Sequence, residues 1–385
     1  MDNIVYCTGS SFFLKTDSGV EEFESQMIQK YRENVDSIKS RREWKTSGAG
    51  ARFMGSFNPA AANDAGSRLA RINGASLWGE ELVYSATMGD VSGLYRKPLK
   101  DGAVEGHILA SNEILISRIS VAGDRCAASV GSGFERHIAD FDLHTGQYRI
   151  LTEGDVIEDY PCYAKDGRRI FFSSAGLAIS PEGAHMGVGP SSILCYDMKN
   201  NDIAELFASD KYDYFAPRED PDGNLLFIRR PYRDAGEKGN IWMDILMFPL
   251  RIIRAIGGLL NFFSVAFGGE SLRSGQTGVD TKTRQKSEAD LFIEGNVVNA
   301  EQALKENERS GEKFPGIIPR SWELIRAGSS GSLACLKKGV MDFTVCENGD
   351  IVYSNGNAVV RLQADGGEQL IEKCSMATRI IERKG

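Results

Sequence analysis

The chain has 385 residues, 42% of them hydrophobic and 25% charged, which is the composition of a folded globular protein and excludes a disordered or fibrous one. Its 53 acidic and 45 basic residues leave a net charge of −8, so the molecular field repels phosphate backbones and no nucleic-acid function is expected. Glycine is the outlier: 42 residues, about 11% against a usual ~7%, call for many tight turns.

The start, MDNIVYCTGSSFF, has no basic region, and its apolar stretch is broken by Thr8, Gly9, Ser10 and Ser11, so a cleaved export signal is not expected. Seven cysteines (Cys7, Cys126, Cys162, Cys195, Cys335, Cys346, Cys374) are odd in number, scattered and never spaced C-x-x-C. That pattern signals neither a disulfide framework nor a zinc site, and fits small buried thiols in a reduced, cytoplasmic setting.

Residues 3–23 read as three strands. Over 20–44, Phe23, Met27, Tyr31, Val35 and Ile38 recur at spacings of four, four, four and three, which predicts an amphipathic helix docked on a flank. A Gly/Ala/Asn-rich loop (47–66) follows, so 20–66 forms one insertion of helix and loop. A recurring turn then organises the chain: LWGEELVYSAT, VAGDRCAASVG, KDGRRIFFSS, PDGNLLFIRR and ENGDIVYSNG, with glycines Gly79, Gly123, Gly167, Gly223 and Gly349 spaced by 44, 44, 56 and 126. The first two spacings match a four-stranded propeller blade of roughly 40–50 residues, and the longer ones read as the same unit with insertions. Downstream of each turn a second hairpin recurs, as in RHIADFDLHTGQYRILTEG (136–154) and AVVRLQADGGEQLIEKC (358–374), with apolar and polar residues alternating about a polar turn.

The loop AGLAISPEGAHMGVGP (175–190) lengthens the fourth blade on one rim, and rim loops carry binding in many folds, which makes His185 and Met186 candidates. A larger insertion, 232–320, interrupts the fifth blade between its second and third strands. Its segment 241–269 is the most apolar of the chain, with Trp242, Leu246, Phe248, Leu250, Ile253, Leu260, Phe262, Phe263 and Phe267 on most of the circumference of a helix. Arg251 and Arg254 lie on its narrow polar arc and oppose a bilayer span. An in-plane helix with these arginines at the headgroups satisfies the pattern, as do a groove on a partner protein and the protein's own core. Beyond a polar linker, 299–316 reads as a short charged helix stopped by Gly311.

The ends of the chain complement each other. The start supplies strands two to four of a blade without a first strand, and MATRIIERKG (376–385) has the text of a first strand without a successor. The expected fold is therefore all-β: a single domain over 1–385, a six-bladed β-propeller closed by the C-terminal strand joining the N-terminal blade, with helical insertions. At IEDYPCYAKDGRRIFFSS (157–174), DYFAPREDPDGNLLFIRR (213–230) and the 136–154 hairpin, the text resembles the TolB-like family of six-bladed propellers, with their D-x-x-P stretch, polar-D-G turn and T-G hairpin. That resemblance implies a scaffold for protein–protein contact, and the family shares blades with propellers that precede serine peptidases.

Catalytic motifs point nowhere. G-x-S-x-G does not occur, and the four histidines (His107, His137, His144, His185) lack H-x-H or H-E-x-x-H spacing. The glycine-rich 47–55 lacks the Lys-Ser/Thr of a phosphate loop. Asp159, Asp213 and Asp342 recur six to ten residues before blade turns; they either pair with arginines and cap turns or line an axial cation site. The function expected is a non-catalytic scaffold with no cofactor or bound metal, an unknown protein partner and a peripheral membrane contact through 241–269. The alternative is a propeller lyase or hydrolase with an axial metal.

Overall fold

The computed structural model describes residues 3–46, 70–99, 103–180, 185–232, 290–293, 296–328 and 331–383. Antiparallel strands dominate. The first sheet holds β1 (Ile4–Thr8), β2 (Ser11–Thr16) and β3 (Gly19–Glu24), and helix α1 (Gln26–Thr46) follows. The second is β4 (Arg71–Trp78), β5 (Glu81–Met88), β6 (Val91–Pro98) and β7 (Gly106–Ser111) in sequential order. A nine-stranded sheet contains β8 (Leu115–Ala122), β9 (Arg125–Ser132), β10 (Glu135–Asp142) and β11 (Tyr148–Ile150), then β12 (Val156–Tyr163), β13 (Arg169–Ile179), β14 (His185–Val188), β15 (Ser192–Asp197) and β16 (Asp202–Phe207). A single parallel bridge, Arg136 to Ile157, joins its two halves, so each half is an antiparallel unit of its own.

Two further four-stranded sheets complete the set. One is β17 (Tyr212–Glu219), β18 (Leu225–Pro231), β21 (Glu323–Ala327) and β22 (Leu333–Lys338); the other is β23 (Asp342–Val345), β24 (Ile351–Ser354), β25 (Ala358–Leu362) and β26 (Glu368–Lys373). The last strand, β27 (Ala377–Glu382), returns to the first sheet and pairs antiparallel with β1, from Ile4 opposite Glu382 to Thr8 opposite Ala377.

The local chemistry behind these sheets is the expected one. Gly79, Gly123, Gly167, Gly223 and Gly349 all have positive φ, between +57° and +87°, which a residue with a Cβ adopts only under strain. Strands then alternate or bury wholly according to position, and apolar clusters fill the space between neighbouring sheets. Phe12 and Val5 meet Leu82 and Tyr84; Val83 and Leu94 meet Ile116 and Phe141; Phe171 and Ile193 meet Tyr214 and Phe227. A further cluster brings Ile4 and Tyr6 of β1 and Ile380 of β27 against Val352 and Val359. Each such side chain contributes roughly 1.5–3 kcal/mol by burial, so the sheets are held face to face by dozens of modest terms.

Helix α1 differs from the predicted stripe in a specific way. Phe23 belongs to β3 and stacks on Phe12 at 5.5 Å; the helix starts only after Ser25, whose Oγ accepts from Ile28 N–H at 3.1 Å. That cap turns Ile28 fully inward beside Met27 and Tyr31, while Ile38 is half exposed. At the other insertion, β19 (Asp290–Ile293) and β20 (Asn296–Asn299) form a hairpin where a linker was expected, leading into α2 (Ala300–Arg309). Asn299 caps α2 through Gln302 N–H at 2.8 Å, and Gly311 at φ +75° ends it as predicted.

This arm is core rather than appendage. Leu291, Ile293, Val298, Ala300, Ile317, Ile318 and Trp322 are buried among Phe215, Leu226, Leu324, Phe343 and Tyr353. Trp242, Leu246, Phe248, Leu250, Arg251, Ile253, Arg254, Leu260, Phe262, Phe263 and Phe267 lie outside the described residues. Among the described residues no helix is long and apolar enough to cross a membrane.

Candidate functional site

The charged side chains that the fold gathers lie on the first strand of each unit: β4, β8, β12, β17, β23 and β27. Five of these strands carry a bulge or register shift in their pairing, at Asn73, at Ser117 and Arg118, at Tyr160 and Pro161, at Ala216 and Pro217, and at Thr378. The two proline bulges have an evident origin. Pro161 and Pro217 have no N–H to give the ladder, and the residue before each, Tyr160 and Ala216, stands at φ of +55° and +54°. An unpaired bulge residue is re-aimed out of the sheet plane, towards the neighbouring first strands.

The bulged residues meet one another. Asn73 Nδ2 donates to Ile116 O at 2.9 Å, and Arg118 donates to Thr378 O at 3.1 Å while its guanidinium lies 4.9 Å from the Tyr160 ring. Tyr160 in turn packs on Phe215, with ring centroids 5.5 Å apart. Arg379, only 7% exposed, donates to Ala75 O at 3.1 Å and Ile119 O at 3.3 Å, which ties β27 to both β4 and β8. Asp342 on β23 accepts from Ile380 N–H at 2.9 Å and lies 3.9 Å from Arg379 and 3.5 Å from Arg218. Arg218 Nε also donates to Phe343 O at 2.6 Å. Burial, helped by Arg218 and Arg118 nearby and opposed by Asp342, pulls the Arg379 guanidinium down to about 10, still charged at neutral pH.

Two of the other acids singled out in the sequence are engaged in the same manner. Asp159 lies 2.7 Å from Arg136 and accepts from Tyr160 N–H, and Asp213 lies 3.1 Å from Arg230 and accepts from Ser191 N–H. Each of Asp159, Asp213 and Asp342 thus pairs with an arginine. Among the described residues no group of three or more His, Cys, Asp or Glu could hold a metal ion. His107 lies in β7, His137 in β10, His144 in the turn after β10 at 3.4 Å from Asp124, and His185 in β14. The 175–190 loop is a hairpin in which β14 extends β13, and Met186 there is 55% exposed. The structure brings neither His185 nor Met186 to the first strands. All seven cysteines are free; burial pushes the thiols of Cys7, Cys346 and Cys374 up to about 12, which makes them packing groups.

The arginines of the first strands were missed in the sequence. The one local signal is the repeated dipeptide with proline second, Tyr160-Pro161 and Ala216-Pro217, each inside an otherwise strand-like run.

With first strands, bulges and sequential sheets in view, the comparison with solved structures places the fold among the propellers. The fold is a β-propeller, similar to that of TolB. TolB from Acinetobacter baumannii superposes with a TM-score of 0.51 over 99% of this chain, at 11% identity, and this chain spans 66% of that one. The structure of a nidogen/laminin complex aligns with a TM-score of 0.49 at 7% identity, over 96% of this chain and 92% of that one. Oligogalacturonate lyase in complex with manganese aligns at 0.39, 10% identity, over 76% of this chain and 62% of that one. No protein-family description matches the sequence, and no curated protein matches it.

Proposed function

We propose that the chain is a non-catalytic propeller scaffold for protein–protein contact: a six-bladed ring whose first blade is completed by β27. The observation that carries the scaffold reading is the fate of the first-strand acids. Asp159, Asp213 and Asp342 are each held by arginine and each also by a backbone N–H, so their charge serves to join strands. The axial-metal alternative depended on those carboxylates facing a common ion. Support for the six-blade ring comes from the pairing of β27 with β1 and from Arg379, which reaches β4 and β8 from the last strand.

In this reading the rims and the outer strands meet partners, and the 241–269 segment supplies attachment to a membrane surface or to a partner. Co-sedimentation with anionic vesicles and in-cell cross-linking of the full chain, each with and without residues 241–269, test it. Cross-links that persist without a catalytic cofactor and are lost with the segment are expected. One tightly held divalent ion per chain, released by Asp342→Asn, would overturn the scaffold reading in favour of the enzyme.

A further inference from the structure

Strand β13 is longer than its blade. Its ladder with β15 stops at Ser174 and that with β12 at Gly176; among the described strands, Leu177–Ile179 then pair with β14 alone, Leu177 opposite Val188 and Ile179 opposite His185. A two-stranded ribbon in water is marginal until something covers its apolar face. Leu177, Ile179 and Val188 share one face, and Val188 and the neighbouring Met186 are 37% and 55% exposed. Two exposed acids stand at the base of the ribbon: Asp155, whose carbonyl accepts from Leu177 N–H at 2.8 Å, and Glu153.

The chain leaves the described residues beside this ribbon. Tyr232, the last before Asp290, donates its hydroxyl to Val188 O at 2.7 Å and its N–H to Lys211 O at 2.8 Å. On the far side of residues 233–289, the β19–β20 hairpin returns to the same end of β18, where the Asn296 amide oxygen accepts from Arg230 at 2.9 Å. Nine residues lead from Tyr232 to Ile241, a reach of up to about 30 Å. A tether that short holds the apolar segment at an effective concentration of roughly millimolar, above that of most partners in solution. Its side chains suit Leu177, Ile179, Met186 and Val188, and its Arg251 and Arg254 are opposite in charge to Glu153 and Asp155. We propose that the β13–β14 ribbon is the seat of the chain's own segment 241–269, which must leave it to meet a membrane or a partner; that release rests on the function proposed above, and the seat does not.

Benzoylphenylalanine placed at Met186 of the full chain, irradiated at low concentration without lipid, tests the seat. Cross-links to peptides of 241–269 at monomer mass are expected; cross-links only elsewhere in the chain, or to a second copy, overturn it. Hydrogen exchange needs no substitution in the ribbon. Amides of 177–179 and 185–188 should exchange at least about tenfold faster when 241–269 is deleted, with β8 to β10 unchanged, and equal rates also overturn the seat. Val188→Asp should lose the cross-link, keep the melting temperature of the sheets, and raise sedimentation with anionic vesicles about tenfold over wild type. If the cross-link forms in wild type and neither protein sediments, the seat stands and the membrane reading fails. If both sediment alike and neither cross-links, the membrane reading stands and the seat fails.

Discussion

Arg379 shows how one residue can carry more than its own strand. Its guanidinium donates to carbonyls of β4 and β8 and faces Asp342 of β23, so four strands from separate parts of the chain meet at one side chain. Lysine offers a point charge and cannot reach these partners in a fork. Arg379→Leu strips Asp342 of one of its cations and leaves two buried carbonyls without this donor; a loss of about 3–5 kcal/mol is expected in urea unfolding. A change under about 1 kcal/mol would show the clasp to be incidental. Glu158 poses the opposite case. It is buried, accepts from Ile138 N–H at 3.3 Å and from the Thr152 hydroxyl, and desolvation outweighs these bonds to raise its carboxyl to about 7 from 4.5. Between those two values the folded state holds a proton that the unfolded chain has lost, so stability falls as pH rises through that window and is flat above it. The shift corresponds to about 3 kcal/mol. Glu158→Gln should match wild type near pH 4.5, melt above it at pH 8, and flatten the profile between; an unchanged slope would place the titration elsewhere.

At the scale of elements, Ser25 decides how α1 docks. Its Oγ accepts from Ile28 N–H and lies 2.7 Å from the Tyr84 hydroxyl, which itself bonds buried Glu105. Ser25→Ala removes a helix cap and one partner of a buried hydroxyl, and a loss of about 1–2 kcal/mol is expected, with faster amide exchange confined to α1. Uniform exchange across the sheets would contradict a local role. The turns and hairpins were legible because each depends on its own few residues: a glycine needed at positive φ, then alternating apolar side chains. The short helix α2 was legible for the same reason, since Asn299 and Gly311 mark its ends. What escaped were features set by distant neighbours. Ile28 points inward beside Tyr84, fifty-six residues away by sequence number, and the apolar residues of β19 and β20 are buried against Phe215, Leu226 and Leu324 of distant strands. The bulges of the first strands fall between these cases: Pro161 and Pro217 are visible in the text, yet Arg118, which meets the Tyr160 ring, lies on β8.

On the scale of the molecule, the pairing of β27 with β1 turns a series of sheets into a structure whose first element waits for its last. Until β27 arrives, β1 presents an open edge beside Val5 and Cys7, and the cluster of Ile4, Tyr6, Val352 and Val359 lacks Ile380. Removing 376–385 takes away that strand and Arg379 together. The truncated chain is expected to unfold at least several kcal/mol earlier in urea and to self-associate through the free β1 edge, measured by sedimentation. A synthetic peptide of residues 376–385 added in trans separates the two contributions. The native peptide should restore the monomer and most of the stability, and a peptide with Arg379→Leu should restore pairing with β1 but not the link to β4, β8 and Asp342. If the truncated chain melts with the full one, or if neither peptide binds, the ring does not depend on its last strand and the proposed closure is wrong.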